Sequence, residues 1–374
     1  MKIGIVVPWI HRMGANKIPF SLVRGLANLG HDAFLIAHTV NQELLPSIEI
    51  GIRPASLIHA KSDTQPYSYG SAAWKWFASS RSDIELAEVV LDCHKSNALD
   101  FVVLIGNEGF RLASLLRKKH VSSLPLLGWS IMELIDHSFL LRRDRPYSTI
   151  RAMLAPLYPL IHREWERAMK DFDFLCANSE WTADLVAYLY GLDCQHNLIS
   201  LPSDAFGEAS PNPRAPDHPY IALPTVSIGP VEKMMVTELA RRGLPLRAFG
   251  DNKVPDVDNL GYLSEEAMRS EVAGAAALLF LFDYEALGLV PFEALAQGVP
   301  VVTIPKYGVK RQWAGNPFVS MESTVDGLVT SCNRWLASPL TAELRAQASA
   351  TVQRFAEESA ARSFLEFLSR LEKD

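Results

Sequence analysis

The sequence predicts an α/β protein made of two successive Rossmann-like, doubly wound domains facing a cleft. Three observations carry that expectation. Short apolar runs bounded by Gly, Pro or charged residues alternate with stretches of helical periodicity, the β-α-β-α pattern of a parallel sheet covered on both faces. A segment with five prolines between Pro202 and Pro219 interrupts the alternation, which then restarts. The length of 374 residues suits two domains at roughly 100–200 residues each.

The elements follow in order. Residues 3–7 read as a buried strand closed by Pro8, and the loop 11–16 comes next. Phe20, Leu22, Val23, Leu26, Ala27 and Leu29 recur at helical spacing, with Pro19 in the first turn and Gly30 as the stop. Strands are expected at 33–37, 101–105, 124–129 and 172–177, and a helix at 110–119. Residues 147–170 are helical in pattern but interrupted by Pro156 and Pro159. Ser179 caps a helix over 179–190. In the second half, strands are expected at 225–229, 246–250, 275–282 and 299–304, with helices at 231–242 and 289–297. The tail from 341 to 371 is helical almost throughout. The expected domains are therefore 1–200, a linker 201–219, and 220–355, with a C-terminal helix at 356–374 crossing back to the first domain. Parallel strands place ligands at their carboxyl ends, so the cleft between the domains is the expected ligand site.

Composition narrows the function. Apolar residues make up 48% and charged residues 21%, ordinary for a globular chain and unlike a disordered or disulfide-dense one. The net charge of −6 gives no basic excess, so nucleic acid is not an expected partner. Cys93, Cys176, Cys194 and Cys332 form no CxxC pair and read as reduced thiols rather than a zinc site. The N-terminal apolar run is too short for a signal peptide. The longest uncharged apolar run, 272–282, falls short of the roughly 18 residues of a spanning helix. The expected location is the cytoplasm, with contact to a membrane surface left open. The basic stretch 141–147, with Trp74, Trp76 and Phe77, is a candidate surface for an anionic acceptor or a membrane, against the plainer reading of a solvated face.

The most informative segment is Tyr284-Glu285-Ala286-Leu287-Gly288-Leu289-Val290-Pro291-Phe292-Glu293-Ala294-Leu295-Ala296-Gln297-Gly298-Val299-Pro300-Val301-Val302. It joins two apolar strands. Glu285 falls at the carboxyl end of the first, and Gly288 permits a close backbone approach. A helix then starts whose free N–H groups suit an anion such as a diphosphate. Glu293 lies in its first turns, where a carboxylate suits a diol.

This segment resembles the E-x7-E signature of retaining glycosyltransferases of family 4, which have the GT-B fold. Glu285, Gly288, Leu289, Glu293, Ala294, Gly298, Pro300 and Val301 carry the match. The resemblance implies transfer of a sugar, in the manner of a hexosyltransferase, from a nucleoside diphosphate sugar to an acceptor hydroxyl with retention of configuration. It implies neither metal nor cofactor. The acceptor stays open: a glycan, a lipid-linked or a small molecule. Glu285 would hold donor-sugar hydroxyls, Glu293 the ribose, and the amides of Gly288, Leu289 and Val290 the diphosphate.

Other segments agree in part. Ser227-Ile228-Gly229-Pro230-Val231-Glu232-Lys233 resembles the family's strand followed by GR…EKG, so Lys233 would neutralise the departing diphosphate. Pro230 stands where an arginine is usual and Met234 where a glycine is usual; Lys306 and Arg311 are candidate substitutes for the missing cation. Residues 171–180 resemble the strand end that leads into an interdomain helix. Gly14 matches a glycine-rich loop facing the donor phosphate, and His31 reads as a helix-end residue. The histidine that relatives carry after the strand at 125–131 is absent, and Glu133 and His137 are the candidates for that sugar contact. Two other classes remain: a nucleotide-sugar binder with reduced or lost catalysis, and a hydrolase, epimerase or sugar phosphorylase using the same cleft. A nicotinamide-dependent oxidoreductase is a third and least expected rival, since no GxGxxG follows a strand.

Overall fold

The computed structural model describes residues 1–10, 17–42, 57–63, 81–105, 109–118, 124–129, 163, 166–197, 201, 203–206, 218–226, 228–282, 285 and 287–371. The chain forms two compact units, Met1–Ser200 with Glu357–Asp374, and Leu201–Ala356. Gly14, Glu133, His137, Trp74, Trp76, Phe77, Pro156, Pro159 and the stretch 141–147 lie outside the described residues.

The first unit is built on a seven-stranded parallel sheet in the order β3-β2-β1-β4-β5-β6-β7. Its strands are β1 (Lys2–Ile10), β2 (Asp32–Asn41), β3 (Leu57–Asp63), β4 (Phe101–Ile105), β5 (Leu126–Trp129), β6 (Phe174–Ala177) and β7 (Gln195–His196). Ile3, Ile5 and Val6 are at most 1% exposed, because helices cover both faces and a central strand needs no polar side. Helices α1 (Lys17–Asn28), α2 (Arg81–Asn97), α3 (Gly109–Lys118) and α4 (Glu180–Tyr190) connect or flank these strands. Ser179 caps α4, accepting a hydrogen bond from the Thr182 amide at 3.2 Å, and Gly191 ends it at φ +63°. His31 sits just past α1, its Nδ1 3.1 Å from the N-terminal amine. Burial, and then the charge of that amine, lowers its pKa.

The second unit holds a six-stranded parallel sheet in the order β10-β9-β8-β11-β12-β13. The strands are β8 (Ile221–Pro224), β9 (Leu246–Phe249), β10 (Asp258–Gly261), β11 (Ala277–Phe280), β12 (Val301–Thr303) and β13 (Val319–Met321). Among the described residues, the helices α5 (Pro230–Arg241), α6 (Glu265–Gly274), α7 (Leu289–Ala296), α8 (Tyr307–Gln312), α9 (Val325–Leu336) and α10 (Ala342–Ala350) accompany them. The strand expected at 225–229 lies earlier, at Ile221–Pro224. Pro224 can end a strand because the next ladder bond uses the Thr225 amide, which donates to Phe249 O at 2.8 Å. Gly229 is then taken up as the N-cap of α5.

Leu201 makes a parallel bridge with Ala356, its amide donating to Phe355 O at 2.7 Å. A 3-10 turn follows at Ser203–Phe206, and the Gln297 side chain donates to the Ala205 carbonyl. Gly298 is fixed by packing: at φ +74°, an added Cβ would lie 2.5 Å from Arg345 Cβ on α10.

The final helix α11 (Glu357–Leu371) belongs to the first unit and packs on α1. The helices approach at Gly25, where a Cβ would lie 2.5 Å from Glu357 O and 2.9 Å from Ala361 Cβ. Arg24 pairs there with Glu357, which is 6% exposed. All four cysteines are free, and burial pushes the Cys194 and Cys332 thiols up to about 12.

A buried brace ties β9 to α6. Arg247 Nε lies 3.0 Å from Glu271 Oε1 and 3.3 Å from Asp258 Oδ2. Its guanidinium sits 5.0 Å from the Tyr220 ring centroid, and the Tyr220 hydroxyl donates to Glu271 O at 2.7 Å. Glu271 is 1% exposed, so Glu271→Ala removes the buried partner of Arg247, leaves it the more exposed Asp258, and is expected to cost about 3 kcal/mol. Gly25→Val forces α1 and α11 apart and is expected to cost about 1–3 kcal/mol. Urea unfolding of each variant measures both losses; a Gly25→Val midpoint equal to wild type would refute the close approach.

Candidate functional site

The order of the second sheet fixes where a ligand can be held. From β8 the chain moves outward through β9 to β10, then returns to place β11 on the other side of β8. Strand order reverses between β8 and β11, and such switch points open a crevice at the carboxyl ends of the strands. The helices that follow these two strands are α5 and α7.

Both helices begin on glycine. Gly229 is the N-cap of α5 and Gly288 the N-cap of α7, and neither start has a side-chain capping bond. Within the unit, Ser264, Thr324 and Thr341 cap α6, α9 and α10 through their hydroxyls, whereas α8, which starts on Lys306, also has no side-chain cap. The amides at the starts of α5 and α7 are therefore left to other acceptors. Aligned helix dipoles add partial positive charge at the same place. Pro230 occupies the first position of α5 and brings no amide of its own.

Gly288 is required by its backbone. Its φ is +74°, and an added Cβ would sit 3.0 Å from the Phe280 ring and 3.4 Å from Glu285 Cγ. The same contact locates Glu285, whose half-buried side chain lies against the start of α7. Leu289 and Val290 are the first helical residues and are half-buried. Pro291 fits here, because an amide in the first turn has no intrahelical partner to lose.

Glu293 is one turn further along α7 and 9% exposed. It is the only acidic residue in a helix whose other residues from Pro291 to Ala296 are buried and apolar. A carboxylate in such a setting is costly unless it serves a partner.

Lys233 is in the first turns of α5. Its Nζ donates to Asn252 Oδ1 at 3.2 Å, and Asn252 Nδ2 donates to the Thr225 carbonyl at 2.7 Å. Lys233 is thus steered toward the carboxyl ends of β8 and β9. Asn252 is absent from the sequence reading, although an Asp-Asn pair two residues past a strand end is a turn signal at the functional edge of a parallel sheet. Lys306 pairs with Glu232 at 2.9 Å, and Arg311 lies exposed on α8.

The structure therefore brings Glu285, Gly288, Leu289, Val290 and Glu293 together on one junction, and Lys233 onto the neighbouring one. Gly14, Glu133 and His137 lie outside the described residues. Among the described residues, no group of three His, Cys, Asp or Glu side chains is placed to hold a metal ion, and no helix is long and apolar enough to cross a membrane.

Residues 253–354 match the family described as Glycosyl transferases group 1. The matched span contains Glu285, Gly288, Glu293 and Lys306, and leaves Lys233 outside it. No curated protein matches the sequence. Among solved structures, sucrose-phosphate synthase from Thermosynechococcus elongatus superposes with a TM-score of 0.71 at 13% identity, over 100% of this chain and 99% of that one. HepE of Anabaena, in complex with UDP-glucose, gives 0.66 at 14% identity over 99% and 100%. A glycosyltransferase from Rickettsia africae gives 0.66 at 13% identity over 100% and 99%. At these identities the likeness speaks for the fold alone: the protein has the GT-B fold, two Rossmann-like parallel-sheet domains.

Proposed function

We propose that the protein is a retaining glycosyltransferase that moves a sugar from a nucleoside diphosphate sugar to an acceptor hydroxyl. One observation carries this reading. The two helices that flank the β8–β11 switch point both start on glycines without side-chain caps, and a carboxylate, Glu285, stands against one of those starts. That pairing suits a ligand with an anionic half and a polyhydroxylated half. The match to Glycosyl transferases group 1 over residues 253–354, which include Glu285 and the start of α7 but not that of α5, supports it. So does the fold shared with HepE, whose solved complexes contain UDP and UDP-glucose.

Each residue has a distinct task in this reading. The amides of Gly288, Leu289 and Val290 receive the diphosphate. Lys233, held by Asn252, neutralises the charge that grows on the diphosphate as the bond to the sugar breaks. Glu285 accepts hydrogen bonds from sugar hydroxyls, and its charge counts most when the anomeric carbon gains positive character. Glu293 takes the ribose diol. The fixed dipoles and Lys233 supply the charge stabilisation, so this reading needs neither metal nor cofactor. The acceptor is a hydroxyl compound of unassigned class, and the cytoplasm is the proposed location.

A second reading has its own observation. Pro230 removes both an amide and the usual arginine from the start of α5, which suits a nucleotide-sugar binder with lost catalysis. A hydrolase or epimerase using the same site would instead release free sugar or isomerised donor.

Two variants separate these readings. Glu293→Ala is expected to weaken nucleoside diphosphate binding by about 1.5–3 kcal/mol, as for loss of a charged hydrogen-bond partner. Calorimetric titration measures it without added magnesium, and unchanged affinity would make Glu293 a structural acid. Glu285→Gln keeps shape and removes charge, and should lower turnover by about 10²-fold or more. Affinity for the sugar-free diphosphate should stay at the wild-type value. A parallel loss of both would show that Glu285 holds the site's structure. Wild-type protein that binds a donor yet neither transfers nor hydrolyses it would favour the binder.

A further inference from the structure

A cavity of about 210 Å³ opens at the amino-terminal edge of the first sheet. The residues that line it all belong to the first unit. Phe172 and Phe174 come from the entry to β6, Leu192 from the entry to β7, and Phe367 and Leu371 from the last turns of α11. The candidate donor site, by contrast, is built on carboxyl ends of strands in the second unit.

The walls and the charges of this cavity point to one kind of ligand. Phe172, Phe367 and Leu371 are 8%, 1% and 7% exposed, so the inner wall is part of the packed core and keeps its shape. An apolar cavity of about 150 Å³ accommodates benzene, and this larger one takes an aromatic ring with a short substituent. Three of the wall residues are phenylalanines, whose rings pair well with another ring. The charges at the rim are unequal. Lys170 pairs with Glu166 at 2.7 Å. Asp173 is held by Arg117 and by the Leu126 amide. Asp193 is exposed, and its carboxylate has no ion-pair partner among the described residues. Its charge is felt behind the rim: the half-buried Cys194 thiol is pushed up to about 12, by burial first and then by Asp193. The charge left open at the mouth is therefore negative. A carboxylate beside aromatic walls suits an ammonium group, which gains from both.

We propose that this cavity binds a small arylalkylamine, with its ring among Phe172, Phe174 and Phe367 and its ammonium at Asp193. The primary ammonium donates to the Asp193 carboxylate, and the ring leaves water for an apolar wall. Because Phe367 and Leu371 belong to α11, the ligand also ties that helix to the strand entries. Occupancy therefore raises the stability of the folded chain by mass action. The site does not depend on the donor reading.

Titration of phenethylamine, phenylacetate and ethylamine into the full chain tests the assignment, read by NMR shifts and by melting temperature. Phenethylamine should saturate and raise the melting temperature. Phenylacetate has the ring with the wrong charge, ethylamine has the charge without the ring, and both should do neither. Asp193→Asn should weaken phenethylamine roughly tenfold or more, as for a hydrogen bond to a charged group. The unliganded variant should melt as wild type does, since the side chain is exposed. Leu192→Trp fills the cavity and should abolish binding; if the larger ring disturbs folding, Leu192→Phe fills part of the space and should weaken binding. No saturation by phenethylamine in wild type would overturn the proposal, as would equal binding of phenylacetate or wild-type affinity in Asp193→Asn. Affinity kept in the folded Leu192 variants would place the amine on the surface carboxylate alone and overturn it too.

Discussion

The pairing of β11 with β8, Ala277 beside Ile221 and Leu278 beside Ala222, is the contact on which the candidate site depends. Without it, α5 and α7 would begin at unrelated points of the sheet. With it, two helix starts lie side by side at the reversal of strand order, and both dipoles raise the local potential. A glycine at each start leaves the first amides without the cap that a Ser or Thr side chain would supply. At Gly288 this coincides with a backbone requirement, φ +74° against the Phe280 ring.

The same arrangement accounts for the charges at the site. Glu232, Glu293 and Lys233 are partly or fully withdrawn from water on helices that otherwise pack against the sheet. Glu232 is matched by Lys306 and Lys233 by Asn252, so the polar groups near the helix starts are held by neighbours from other strand ends. Four successive junctions of the sheet, after β8, β9, β11 and β12, contribute to one edge. This is how an open parallel sheet builds a site from residues that are distant in sequence.

Much of this was legible in the sequence, and the reasons are specific. The buried strands at Ile3, Leu278 and Val301 announce themselves as uninterrupted apolar runs, because both faces are covered. The α7 segment is legible because its glycine, its proline and its two acids fall at fixed offsets from a strand end. The misplaced strand at 225–229 shows the limit. Thr225-Val226-Ser227-Ile228-Gly229 alternates like a strand, yet Gly229 is needed to start α5, and the ladder is formed by the run before it. Strands β3, β7, β10 and β13 escaped notice because they are the edges of the two sheets, and most of their described side chains are exposed or half-exposed. Asn252 and the Glu232–Lys306 pair were illegible for another reason. Their partners lie 27 and 74 positions away in the chain, and no local pattern encodes which strand end will face which.

The packing of α11 on α1 has a consequence for how the chain is made. Arg24 and Glu357 are separated by 333 positions, so the surface of α1 around Gly25 leaves the ribosome long before the helix that covers it. The whole of Leu201–Ala356, with its own sheet and core, is synthesised in the interval. Domains emerging in order can fold as they appear, but here the first to emerge is the last to be completed. Until α11 arrives, Gly25 and Arg24 of α1 lack the helix that Glu357 and Ala361 bring against them.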